Sequence, residues 1–156
     1  SNRGPECFSN FIRVGGIFIK SIPEIDIYVR FSETDAAGHV NNVSYYIYLE
    51  EARTKFFDFI QIQQIKEDFF PNLQFVVASS HCNYIRQAYA KQNLRVSTKI
   101  TKIGTKSFRI ESDIKNSETG ELIANGGAVM VCFDFKAEQS VEIPGQLRLM
   151  LEQYLG

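Results

Sequence analysis

The chain has 156 residues, a formal net charge of −1, 44% hydrophobic and 22% charged residues, a composition that indicates one globular domain able to bury roughly 70% of its unfolded surface. The near-zero charge gives no support to a general nucleic-acid or anionic-membrane surface, and leaves room only for a local basic pocket. Cys7, Cys82 and Cys132 are odd in number and widely spaced, which disfavours a disulfide framework or a zinc site and fits buried free thiols in a reducing cytoplasm.

Residues 1–22 are expected to be an N-terminal extension, starting with a Ser1-Asn2 expression remnant, and residues 23–156 to be the domain. The segment "FIRVGGIFIK" (11–20) is apolar but short and is interrupted by Arg13 and two glycines. It makes a poor signal-peptide core, and no run in the chain approaches the ~20 apolar residues of a membrane span.

In "EIDIYVRF" (24–31), Ile25, Ile27, Val29 and Phe31 alternate with polar or amphipathic neighbours, which predicts a strand with one buried face. After the junction "SETDAAGHVNN" (32–42) the period changes. Tyr45, Leu49, Ala52, Phe56 and Phe59 form one helical stripe, which predicts a helix over about 43–60, roughly 27 Å long. Residues 61–73 read as a mixed connector ended by Pro71.

Four strand-like runs follow, at 74–87, 94–100, 108–115 and 121–135, joined by turn residues at hairpin spacing. Gly126-Gly127 inside the last run predicts a bulge or a close backbone approach. After Pro144, the spacing of Leu147, Leu151 and Tyr154 predicts a short terminal helix. Hairpin-length links demand antiparallel pairing, and one apolar helix needs one apolar sheet face. The expected class is α+β: a curved antiparallel sheet wrapped around a long central helix.

The junction is where chemistry concentrates. Free N–H groups at a helix start are donors for a developing oxyanion, and a glycine permits a backbone turn there. An Asp before a helix is also a common N-cap. The stretch "YVRFSETDAAGHVNNVSYYIYLEEAR" (28–53) resembles the signature of the hotdog-fold acyl-CoA thioesterases of the 4-hydroxybenzoyl-CoA thioesterase family. The matching residues are Glu33-Thr34-Asp35, Ala36-Ala37-Gly38, Val40, Tyr45 and Glu50-Glu51-Ala52-Arg53.

The resemblance implies a hotdog fold and hydrolysis of an acyl-CoA thioester, with Asp35 as general base or nucleophile. Gly38 would shape the turn, and the N–H groups near Val40–Asn42 would be oxyanion donors, Asn42 first among them. Glu33, two residues before Asp35, is expected to face the other side, which leaves Asp35 as the reacting acid. His39 is expected to pack or to meet a partner subunit, Tyr45 to sit in the core, and Val40 and Tyr45 are candidate substrate contacts.

The resemblance also places the nucleotide of coenzyme A near the hairpin "KIGTKSF", making Lys102, Lys106 and Ser107 candidates and Arg86 a weaker one. Gly104 and Thr105 stand where some relatives carry arginines, which weakens that assignment. Phe57, with Phe69-Phe70, would line an apolar acyl pocket. Family sites lie between subunits, so a homodimer or homotetramer is expected, with acyl-CoA as substrate and no metal or redox cofactor. Two rivals are a hotdog hydratase or dehydratase, whose Asp and His stand five positions apart rather than the four of Asp35 and His39, and a non-catalytic acyl-binding or assembly module.

Overall fold

The computed structural model describes residues 11–14, 17–20 and 22–156, with side chains from Ile22 onward. The expected N-terminal extension lies for its greater part outside the described residues. Two strands in it, β1 (Phe11–Val14) and β2 (Ile17–Lys20), pair with each other antiparallel.

Strand β3 (Ile25–Tyr28) opens the main sheet. A single 3₁₀ turn, Phe31–Glu33, ends it earlier than the alternation predicts. Phe31 is consequently 85% exposed instead of continuing the buried face of Ile25, Ile27 and Val29. Helix α1 (Asn42–Ile60) starts at Asn41, whose side chain accepts from the Ser44 N–H at 2.8 Å. That is the capping arrangement Asn favours. It ends at Gln61, which takes the left-handed conformation with φ 58°.

The predicted connector contains a second helix, α2 (Ile62–Phe69). Its Ile62 is buried, while Ile65 and Phe70 pack on the lower core, so an amphipathic helix forms where the mixed composition concealed it. Strands β4 (Leu73–Tyr84), β5 (Asn93–Ile103), β6 (Ser107–Asn116) and β7 (Leu122–Asp134) follow, with a two-residue β8 (Gln139–Ser140) and helix α3 (Gly145–Glu152).

The sheet order is β3-β5-β6-β7-β4, with β8 on β7, and every pairing is antiparallel. One face curls over α1, as in the hotdog fold. Tyr45, Tyr48, Leu49 and Ala52 meet Leu94, Val96, Ile114 and Ala124 in the upper core. Phe56 and Ile60 meet Ile100, Phe108, Met130 and Cys132 in the lower core, closed by Leu147 and Leu151 of α3. Of the two readings of Gly126-Gly127, the close approach holds: both residues stay in register with β4 and β6, and Leu49 of α1 lies against Gly126. The bulges fall elsewhere, at Val77/Ser79, Ile100/Lys102 and Ile114/Lys115. Strand β4 forms one edge of the sheet and its outer side pairs with nothing among the described residues. No described helix is long and apolar enough to cross a membrane.

Candidate active site

Between the 3₁₀ turn and α1 the chain makes a loop closed on itself by a bridge between Thr34 and Val40. Asp35 organises its interior. The Asp35 N–H donates to the His39 carbonyl at 2.8 Å, and the Asp35 carbonyl accepts from the Gly38 N–H at 3.0 Å. The carboxylate Oδ1 accepts from the N–H groups of Ala37 at 2.9 Å and His39 at 3.2 Å. Gly38 has φ +80°, a region where a Cβ is strained, so the motif glycine answers a backbone requirement. No described residue bonds the other carboxylate oxygen, Oδ2, and Asp35 is exposed.

Beside this loop lies a cleft of about 480 Å³ lined by Asp35, His39, Val40, Asn42, Tyr45 and Arg86, among others. Of the expected oxyanion donors, two are already taken. The Val40 N–H donates to Ala88 O at 2.8 Å and the Asn41 N–H to Glu33 O at 3.0 Å. Asn42 is the first residue of α1, and neither its N–H nor that of Val43 has a partner among the described residues. The positive end of the helix therefore faces the cleft with unspent donors. Val40 remains a lining residue, 4% exposed, although its N–H is spent on Ala88.

Tyr45 is both core and wall, 3% exposed and lining the cleft. Its ring meets Tyr84 edge-on at 5.3 Å, and burial pushes its hydroxyl pKa up. The Tyr84 hydroxyl donates to the Asn42 carbonyl at 3.3 Å. His39 packs its ring edge-on against Tyr89 at 4.9 Å, the packing role expected of it.

The opposite wall, Tyr84 to Gln87, comes from the end of β4 and the chain beyond it. Only Arg86 in this group was singled out from the sequence. No local pattern marks the others, because pairing with β7, some forty residues further along, carries this segment to the cleft. Arg86 sits 3.8 Å from Glu121, both more than half exposed, so its charge is weakly engaged.

The remaining expectations are not met within one protomer. Lys102, Lys106 and Ser107 lie at the β5–β6 hairpin, at the far end of β5 from Asn93, which pairs with Tyr28 near the Asp35 loop. That separation is about 30 Å at the rise of a strand. The hairpin is occupied structurally: the Lys106 carbonyl accepts from Cys132 N–H, and the carbonyls of Gly104 and Thr105 accept from Arg148 of α3. Phe57 likewise stands fifteen residues along α1 from Asn42, about 22 Å by helical rise. It packs against Phe56 and Phe108 and lines a separate cavity of about 240 Å³ with Lys66 and Phe75. Phe69 is 60% exposed, and neither it nor Phe70 lines that cavity. Among the described residues no group of three His, Cys, Asp or Glu side chains is placed to hold a metal ion.

A family model for the thioesterase-like superfamily matches residues 29–151. The long-chain acyl-CoA thioesterase FadM of Escherichia coli is 30% identical over 135 residues, 83% of this chain and 97% of its own. A Bacillus subtilis protein designated YsmA is 39% identical over 103 residues, 66% of this chain and 67% of its own. Among solved structures, YbaW, a probable thioesterase of Escherichia coli, superposes with a TM-score of 0.73 at 29% identity, over 85% of this chain and 98% of that one.

Proposed function

Since the chain belongs to the thioesterase-like superfamily, we propose that it hydrolyses an acyl-CoA thioester in the Asp35 cleft. The observation that carries this reading is one juxtaposition: a carboxylate with one uncommitted oxygen and a helix start with unspent N–H donors line the same cleft. A thioester carbonyl seated over Asn42 places its oxygen on the helix N–H groups, where negative charge develops during attack. Asp35 Oδ2 then serves as general base toward water, or as the nucleophile itself. The bonds from Ala37 and His39 to Oδ1 hold the carboxylate plane in place for either role. Coenzyme A leaves as the thiol, its sulfur taking up a proton from the water consumed; in the nucleophilic route the acyl group first rests on Asp35 as a mixed anhydride, which that water then hydrolyses. The FadM relative is an acyl-CoA thioesterase by name, which supports the substrate class.

Two copies are expected to complete the site. Strand β4, twelve residues long, has an outer side that pairs with nothing among the described residues, a surface that proteins cover or pair. Pairing β4 with the same strand of a second copy, antiparallel, brings the start of one strand to the end of the other. The partner's Phe57 cavity, beside the start of β4, then adjoins the Asp35 cleft beside its end, which would give Phe57 the acyl-contacting place that a single protomer denies it.

The experiment is a hydrolysis assay over acetyl, hexanoyl, decanoyl, palmitoyl and benzoyl thioesters of CoA with wild type and Asp35→Asn. The expected result is turnover by wild type and loss of most of it in the mutant at unchanged fold. An Asp35→Asn enzyme within about threefold of wild-type kcat would reduce Asp35 to a turn-stabilising residue, since a catalytic base contributes ~10²–10⁴-fold.

A further inference from the structure

We propose that Glu33 is a positioning residue for this hydrolysis, holding the start of α1 against the Asp35 loop; the inference rests on the thioesterase reading above. Glu33 bonds through both its side chain and its backbone. Its Oε1 accepts from the buried Tyr48 hydroxyl at 3.1 Å and from the Arg30 N–H at 2.8 Å. Its carbonyl accepts from the Asn41 N–H at 3.0 Å and the Ser44 hydroxyl at 3.1 Å.

These bonds tie one residue to the helix cap, to its first turn and to its second turn. Asp35 lies two residues further on, so the same anchor sets where the carboxylate stands relative to the helix start. By taking the Asn41 N–H, Glu33 also makes Asn42 the first unclaimed donor. Tyr48 is 1% exposed, and its hydroxyl makes no other hydrogen bond among the described residues. Burial, reinforced by the Glu33 carboxylate, pushes its pKa up, so the hydroxyl stays protonated and keeps donating. Glu33 closes the 3₁₀ turn with its carboxylate on Tyr48 and Arg30 and does not line the Asp35 cleft, and its role is to register the two halves of the site.

The test measures kcat, KM and Tm for Glu33→Ala, Glu33→Gln, Tyr48→Phe and the Glu33→Ala/Tyr48→Phe double variant, with Asp35→Asn alongside. Misplacement by an ångström costs roughly a hundredfold in rate. We expect Glu33→Ala to lower kcat by about tenfold to a hundredfold with KM little changed. Glu33→Gln, which keeps an acceptor oxygen for Tyr48, should recover most of that loss. The double variant should be no worse than Glu33→Ala, the signature of two residues acting as one unit. A kcat for Glu33→Ala within about twofold of wild type, or additive losses for the pair, overturns the inference. Where Glu33→Ala fails to fold, Tyr48→Phe and Glu33→Gln decide it: the inference stands if Tyr48→Phe lowers kcat while Glu33→Gln holds it, and falls if Tyr48→Phe leaves kcat unchanged. An active Asp35→Asn enzyme removes both readings, whereas an inactive one beside a fully active Glu33→Ala removes this one alone.

Discussion

Leu49 Cδ1 lies 2.9 Å from the point that a Cβ on Gly126 would occupy. That Cβ would also meet the His81 carbonyl, closer still, across the β4–β7 pair. Helix α1 can settle this low only because β7 offers a bare backbone there. Gly126→Ala should lift the helix or spread the strands and destabilise by about 1–3 kcal/mol, the usual range for overpacking. In a domain of this size each kcal/mol moves Tm by roughly 2–4 °C. An unchanged melting curve would show that the helix and sheet are not in contact at this point.

The Asn42 N–H can be removed without disturbing the helix. Proline is accepted at the first helical position, and Asn41, with φ −74° and ψ 158°, already has the extended backbone required before a proline. Asn42→Pro should therefore lower kcat by ~10²–10³, the value of one oxyanion donor, with little change in Tm. Asn42→Ala, which keeps the N–H, is the control and should stay near wild type. Equal activity in both variants would move the oxyanion site away from Asn42.

Arg86 lines the Asp35 cleft and carries a positive charge. Arg86→Ala should raise KM for acyl-CoA by about tenfold, in keeping with one charge-assisted hydrogen bond to a phosphate at a partly exposed site. KM for the corresponding pantetheine thioester, which lacks the nucleotide, should not move. The double substitution Lys102→Ala/Lys106→Ala tests the hairpin in the same assay. If only the hairpin variant raises KM, the nucleotide is held there by the partner subunit and not by Arg86.

The outer edge of β4 makes oligomeric state a prediction about chemistry as well as assembly. Light scattering at micromolar concentration should report a dimer or a tetramer. Val77, in the middle of the edge and 47% exposed, is the position at which to break it. Val77→Glu sets like charges near each other in an antiparallel pair, and should shift the protein toward monomer and lower kcat together. A monomeric wild type that is active at full rate would end the shared-site proposal.

Thr101 Oγ1 is buried without a hydrogen-bond partner among the described residues. The register shift between Ile100 and Lys102 makes Thr101 the extra residue of a bulge, with no opposite number on β6. Thr101→Val keeps the shape and removes an unmet polar group, so it should raise stability by about 1 kcal/mol and Tm by roughly 2–4 °C. A lower Tm would mean that the hydroxyl has a partner, such as an ordered water.

Much of this molecule was legible from local pattern. The stripe Tyr45, Leu49, Ala52, Phe56 is a helix face because apolar residues recur every three to four positions, and the helix runs from Asn42 to Ile60. Alternation in 94–100 and 108–115 marks β5 and β6, since a strand turns successive side chains to opposite faces. Asp35 and Gly38 stood out because their residue types answer local needs of a turn, and the structure puts them in one. The α2 helix was missed because its apolar positions are few and polar residues separate them.

What the sequence determined by itself was therefore most of what neighbours within a few positions set: the elements other than α2, the Asp35 turn, and the family motif that spans them. Tertiary structure alone decided which donors remain free, because Ala88 and Glu33 claim the N–H groups of Val40 and Asn41. It alone brought Tyr84 to Gln87 to the cleft and left Lys102 and Lys106 at the sheet's other end. The reason is physical. Helix period and turn chemistry are short-range and written in consecutive residues, whereas the register of β4 on β7 is set by packing a whole sheet face on one helix. A one-residue slip in that register would turn the inward face out, and no short stretch of sequence records that balance.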